Sequence, residues 1–142
     1  MAGPVQPLER RLAGEHQTLA RSLGSLVRSP PLTCGERTAV RDALGVMHAE
    51  GVGSIVVVDA TARPAGIFTE RDLVGVALAA GLDRPIAEVM TREPLTLPDH
   101  TPAYEAALAM IEHHIRHVLV DEAGTLVGVV SERDVFSLQR MG

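Results

Sequence analysis

Apolar and polar positions alternate along this chain in a pattern that is written twice. In the first copy, Pro31 to Cys34 reads as a short extended segment. Thr38 is placed to cap a helix, with Arg41 and Asp42 early in it. Val40, Leu44 and Met47 recur at helical spacing and predict a core-facing stripe. Gly51 and Gly53 stop that helix, and the β-branched run Ile55-Val56-Val57-Val58 predicts a buried strand. Asp59 to Pro64 turns, Gly66-Ile67-Phe68 forms a second strand, and Thr69 opens a helix through Ala80 that ends at Gly81. The order is β-α-β-β-α. The second copy reads the same way over Pro94–Leu97, Pro102–His114, Val118–Asp121, Leu126–Val130 and Glu132–Arg140. Ile86 to Met90 predicts a short helical lead into it, and Leu23 to Val27 is the counterpart before copy one.

The repeat is exact enough to be counted. Pro31-Leu32-Thr33 returns as Pro94-Leu95-Thr96, and Thr38, Ala43 and Met47 return as Thr101, Ala106 and Met110, all 63 residues on. Val56, Val58 and Asp59 match Val118, Val120 and Asp121, and Glu70-Arg71-Asp72 matches Glu132-Arg133-Asp134, 62 residues on. This alignment puts a missing residue near the start of the second copy's apolar strand. The expected architecture is α+β: two tandem β-α-β-β-α units related by pseudo-two-fold symmetry. The expected division is 1–24, 25–84 and 85–142. Each copy is small for independent stability, so the two are expected to pack on each other. Before them, Leu8, Leu12, Leu19 and Leu23 form one stripe of an amphipathic helix, with Glu9, Arg10, Arg11 and Glu15 mostly off it. That helix either packs on its own domain or forms a dimer or partner contact.

Composition narrows the functional classes. The 142 residues are 46% apolar and 22% charged, as in an ordinary folded protein. The formal charge of −5 gives no general attraction to nucleic acid or anionic lipid. The three aromatics, Phe68, Tyr104 and Phe136, provide no base-stacking platform. One cysteine, Cys34, allows neither an internal disulfide nor a cysteine-rich metal site, and it suits small-residue core packing. No apolar run reaches the roughly 18 residues of a membrane span, and the start lacks the order of a signal peptide. The cytoplasm is the expected compartment. His113, His114 and His117 lie close together, but no cysteine or carboxylate cluster completes a metal set. No nucleophile–base pair or phosphate-gripping Gly-Lys loop is present, so no enzyme activity is expected.

Two phrases carry the specific signal: Gly66-Ile67-Phe68-Thr69-Glu70-Arg71-Asp72 and Gly128-Val129-Val130-Ser131-Glu132-Arg133-Asp134. Each has the Gly-apolar-x-Ser/Thr-x-x-Asp form at the start of a unit's last helix. The duplicated unit resembles the CBS (cystathionine β-synthase) domain, and two in tandem resemble a Bateman module, over nearly all of the chain from about residue 25. The phrases Gly53 to Asp59 and Leu78 to Asp83 are similar to the CBS pair of a bacterial nucleotidyltransferase family, where it lies between a cyclic-nucleotide-binding domain and a catalytic domain. The resemblance implies a disc-like homodimer held through helices and a regulatory role without catalysis. It also implies an adenosine-containing ligand (AMP, ADP, ATP or S-adenosylmethionine) in a cleft between the copies, and no required cofactor.

The residues suit such a ligand. Asp72 and Asp134 can accept the two ribose hydroxyls. Thr69 and Ser131 sit at helix starts, where free N–H groups favour a phosphate. Ile67 and Val129, with Val56 and Val118, can line an apolar slot for the base. Gly66 and Gly128 allow a close approach. The resemblance implies that Thr33 and Thr96 hold the base edge, and it makes Arg116 and His117 the phosphate contacts. Arg71 and Arg133 could reach a phosphate too, but are expected to be exposed helix residues or partners for an Asp or Glu of the other copy. A second reading needs no ligand: Thr69-x-x-Asp72 and Ser131-x-x-Asp134 are capping-box sequences, and the chain is then a dimerisation or protein-interaction scaffold acting through its N-terminal helix.

Overall fold

The computed structural model describes residues 19–78 and 81–141. The N-terminal stripe up to residue 18 lies outside the described residues, as do Ala79 and Ala80 at the expected end of one helix. The elements are β1 (Thr33–Gly35), α1 (Val40–Glu50), β2 (Ser54–Val58), β3 (Pro64–Thr69), α2 (Glu70–Leu78), β4 (Thr91–Arg92), β5 (Thr96–Pro98), α3 (Ala103–His113), β6 (His117–Glu122), β7 (Thr125–Ser131) and α4 (Glu132–Met141). Short 3₁₀ turns at Leu23–Leu26 and Ile86–Glu88 are the two lead segments. The fold is mixed α+β, and each copy follows the expected β-α-β-β-α order.

The chain divides into two compact units, but not at the repeat boundary. One is contiguous, Pro31–Pro94; the other is split, joining the stretch up to Pro30 to Leu95–Gly142. The lead segments are therefore exchanged. Ile86 and Met90 complete the core of the unit that precedes them, with Val40, Ala43, Met47, Ile55, Val57, Phe68 and Val76. Leu23 and Leu26 complete the core of the split unit, with Ala103, Ala106, Met110, Val118, Val120, Val130 and Val135.

Both leads dock in the same way. The Ile86 N–H donates to the Thr38 carbonyl at 2.7 Å, and the Leu23 N–H donates to the Thr101 carbonyl at 2.8 Å. In return, Arg84 O accepts from Val40 N–H and Arg21 O from Ala103 N–H. These bonds correct the expected cap. Ala39 and Pro102 are the N-caps of α1 and α3, neither making a side-chain cap bond. Backbone carbonyls from the docked segment serve the helix start instead: Arg84 O and Leu82 O accept from Val40 and Arg41 N–H at α1, and Arg21 O from Ala103 N–H at α3. Helix α2 is described through Leu78, and beyond it the Gly81 N–H donates to the Val76 carbonyl.

Strand register relocates the missing residue. β1 pairs in parallel with β2, Thr33 opposite Val56, and β5 pairs with β6, Thr96 opposite Leu119. β2 pairs antiparallel with β3, and β6 with β7: Ser54 lies opposite Thr69, and His117 opposite Ser131. The 63-residue spacing thus persists through the whole of β6, and Leu119, not Val118, is the partner of Val56. The deletion lies in the hairpin after the strand. Glu122 and Thr125 enclose a two-residue turn whose Ala123 and Gly124 both have positive φ, 51° and 88°; that is the combination a tight type I′ hairpin requires. The first copy keeps a longer loop, knotted by Asp59 Oδ1, which accepts from Thr61 N–H, Thr61 Oγ1 and Arg63 N–H. Sequence matching had slid the gap along a run of valines, where a one-residue slip changes little in composition but turns every side chain to the other face.

One short strand was not anticipated. After the lead, Thr91 and Arg92 pair antiparallel with Ile67 and Gly66, adding a fourth strand to the contiguous unit's sheet; the split unit's sheet has three.

Candidate functional site

Side chains on laterally paired strand residues share a sheet face, and the faces alternate along a strand. Ile55, Val57 and Phe68 belong to the contiguous unit's core cluster, as Val118, Val120 and Val130 do in the split unit. The opposite face then carries Ser54, Val56, Ile67, Thr69 and Thr33 in one unit. It carries His117, Leu119, Val129, Ser131 and Thr96 in the other. Each unit so groups on one sheet face a threonine on the first strand, two aliphatic side chains beside it, of which Val56 and Leu119 are fully buried, and a hydroxyl residue where the last strand turns into a helix. Ile67 is 6% exposed, while Thr33 and Thr96 are exposed.

The register makes two corrections. Val118 faces its own unit's helices, so Leu119 takes the place expected for it. Gly66 and Gly128 also face the core. A Cβ built on Gly66 would stand 2.4 Å from Met90 Sδ and 2.8 Å from the Thr91 carbonyl oxygen; on Gly128 it would stand 2.5 Å from Val27 Cγ1. What comes close to both motif glycines is the chain's own lead segment. Sequence reasoning missed this because a glycine that admits a side chain and one that admits a ligand read alike.

At the strand-to-helix junction, Asp72 Oδ2 accepts from the Thr69 N–H at 2.9 Å and from Thr69 Oγ1 at 3.3 Å. Asp134 Oδ2 accepts from the Ser131 N–H at 2.8 Å and from Ser131 Oγ at 3.1 Å. In the split unit Ser131 Oγ also accepts from the Asp134 N–H at 3.2 Å, so that capping box closes in both directions. The hydroxyl cap expected of both residues is formed by Ser131, whereas at Thr69 the box is made by Asp72 alone; both aspartates are half-buried beside the helix start. Each cap uses Oδ2, and a carboxylate has about four lone-pair positions. Capping fixes the rotamer of each carboxylate.

Arg116 and His117 occupy the positions of Gly53 and Ser54. The Arg116 carbonyl accepts the Glu132 N–H at 2.8 Å, as Gly53 O accepts the Glu70 N–H at 3.1 Å. The Arg116 side chain is half exposed, its Nε 3.8 Å from Glu132 Oε1, an ion pair loose enough to exchange partners. His117 is half-buried beside Ser131. Arg71 and Arg133 are exposed, as expected. Cys34 lies opposite Val57, packed against the contiguous unit's core, where burial pushes its thiol pKa up. Among the described residues no group of three or more His, Cys, Asp or Glu is placed to hold a metal ion, and no helix is long and apolar enough to cross a membrane.

Comparison with known proteins places this architecture. The family model described as the CBS domain matches residues 23–79 and again 86–140. The chain belongs to the CBS-domain family and is a tandem pair, the arrangement of a regulatory Bateman module. It is 32% identical to the CBS-domain containing protein ATU1752 from Agrobacterium tumefaciens, with a TM-score of 0.76 over 87% of this chain and 96% of that one. It is 28% identical to the CBS domain protein PAE2072 from Pyrobaculum aerophilum, solved as a complex with AMP, with a TM-score of 0.75 over 85% of this chain and 99% of that one. A Methanopyrus kandleri protein is 30% identical over 122 residues, covering 83% of this chain; the match spans 62% of that relative's length.

Proposed function

We propose that this chain is a sensor that binds an adenosine-containing molecule (AMP, ADP, ATP or S-adenosylmethionine) and signals by a change of conformation. The observation that carries the reading is the duplicated surface: threonine, aliphatic pair and hydroxyl on one sheet face, ending at an aspartate held against a helix start. An aliphatic pair suits the flat faces of a purine, and Thr33 or Thr96 lies at its edge. Asp72 and Asp134 suit a ribose diol, their orientation fixed by the cap. The N-terminal ends of α2 and α4 favour negative charge on the 5′ side. In the split unit, Arg116 and His117 extend that preference to a phosphate. The AMP complex of the Pyrobaculum relative supports the same class of ligand.

Regulation, not catalysis, follows from this chemistry. Binding changes a partner only through a difference in affinity between two conformations. The listener is a second copy of this chain, a separate effector protein or a fused domain of the kind found beside nucleotidyltransferase CBS pairs, and the setting is the cytoplasm. Met47, Val76 and Met110, on α1, α2 and α3, are buried, whereas Leu108 and Ile111 of α3 are 55% and 63% exposed and suit a homodimer contact.

The scaffold reading draws on the same caps, since both Asp Oδ2 atoms are engaged without any ligand. Thermal unfolding with AMP, ADP, ATP and S-adenosylmethionine separates the two. A ligand at 100 times its Kd stabilises by about 2.7 kcal/mol, a rise on the order of 5–15 °C for a chain of this size. The sensor reading expects such a rise with at least one compound and its loss in Asp134→Ala or Asp72→Ala. A flat panel at millimolar ligand leaves only the scaffold.

A further inference from the structure

Helices α1 and α3 are counterparts in the repeat, yet their outer faces differ. On α3, Tyr104, Leu108 and Ile111 recur at helical spacing away from the core and are 37%, 55% and 63% exposed. Their counterparts on α1 are Arg41, Gly45 and His48, and Arg41 is held by Asp83 at 3.1 Å. The contiguous unit thus shows water a polar helix face, and the split unit shows it an apolar one. The split unit is also the one that receives the N-terminal stretch. Leu19 is helical and packs against that unit's core. Ser22 bridges Pro102, and Arg21 O accepts the Ala103 N–H at 2.7 Å. The chain therefore enters the split unit at the N-terminal end of α3, where the apolar stripe begins.

We propose that residues 8–19 fold back antiparallel along α3 as a helix and cover Tyr104, Leu108 and Ile111 within the same chain, masking the face that suits a second copy. The stripe of Leu8, Leu12 and Leu19 supplies the matching apolar side. The lengths agree: residues 8–18 and α3 each comprise 11 residues, about 16 Å of helix. With Leu19 level with Tyr104, an antiparallel pair sets Leu12 beside Ile111, each seven residues further along. One residue beyond, Arg11 comes level with the exposed Glu112, at the negative end of the α3 dipole. Tethering favours this occupant over a second copy, since a segment on a short connection has an effective concentration on the order of millimolar. A homodimer contact through α3 then requires release of the segment. The cover itself does not depend on a ligand at the strand-to-helix junction.

Tyr104 is the chain's one tyrosine and there is no tryptophan, so intrinsic fluorescence reports this face directly. The test is acrylamide quenching of the full chain over a dilution series. Wild type is expected to be protected from quenching, equally at every concentration. Leu8→Ser/Leu12→Ser is expected to lose that protection at the lowest concentration. A second measurement does not rest on that variant. Leu12→Cys with Ile111→Cys, in a Cys34→Ser chain, is expected to form a disulfide within one chain under mild oxidation. Four results would each overturn the proposal: strong quenching in wild type, protection that fades on dilution, protection unmoved by Leu8→Ser/Leu12→Ser, and a cross-link that is absent or joins two chains. Fading on dilution and a cross-link between chains would assign the face to a second copy instead.

Discussion

The contiguous and split units are built from one pattern and assembled differently. Pro31–Pro94 holds all its core residues in a single stretch, and its sheet gains a fourth strand from the end of its lead. The split unit relies on Leu23, Leu26 and Val27, which in sequence precede the other repeat. A repeat of sequence is therefore not the same thing as a unit of packing. The lead of each copy crosses to the neighbouring unit, caps a helix start with its carbonyl and fills the space left by a motif glycine. The adjacent sequence is the wrong guide to where a substitution will be felt.

The largest expected effects follow from that exchange. Leu23→Ala and Ile86→Ala each remove a fully buried side chain and are expected to cost about 2–5 kcal/mol. Native-state hydrogen exchange locates the loss: Leu23→Ala should loosen amides of α3 and β6, although Leu23 precedes β1 in the chain. Loosening of β2 and α1 instead would break the exchange model. Next come the glycines, since overfilling a packed site costs about 1–3 kcal/mol. Gly66→Ala should lower Tm more than Gly128→Ala. The new methyl meets a backbone oxygen, Thr91 O, in the first case and only the Val27 side chain in the second.

Smaller effects separate the two caps. Removing an N-cap hydroxyl costs about 0.5–2 kcal/mol. Ser131→Ala should fall toward the upper end and Thr69→Ala toward the lower, because only the split unit's box has the returning Asp134 N–H bond. Equal losses in chemical denaturation would remove that distinction. The smallest effect is at the hairpins. Asp59 is held below the ordinary carboxylate value, chiefly by the Thr61 hydroxyl and then by the backbone N–H groups of Arg63 and Thr61. A carboxyl whose folded pKa is depressed adds stability above its unfolded value and loses it as pH falls through the folded one, so the window lies below about pH 4. Thr61→Ala should raise the Asp59 midpoint in a carboxyl-carbon NMR titration; an unmoved midpoint would show that the loop is not knotted through that hydroxyl.

Much of this was legible in the sequence, and the failures have definite causes. The order of elements, the buried strands, the motif hydroxyls and the capping aspartates follow from periodicity and local chemistry, which are short-range. The exchange of leads is a long-range choice. Leu23 and Ile86 are equally apolar wherever they dock, and only the paired hydrogen bonds to Thr101 and Thr38 reveal their destinations. The deletion was misplaced because Val56 matches Val118 by identity while the ladder pairs by register, which cost the surface its Leu119. Arg116 and His117 were legible as a difference between copies; that they face the same junction as Gly53 and Ser54, undisplaced by the deletion, required the strands.

The central claim is that the strand-to-helix junction, not an exposed helix face, is where the molecule meets its ligand. Hydrogen–deuterium exchange on the intact chain with and without saturating AMP tests it directly. The account predicts slowed exchange at Thr96, Arg116–Leu119 and Ser131–Val135, with the exposed side of α3 around Leu108 and Ile111 unchanged. Protection on α3 with no change at the junction would contradict it.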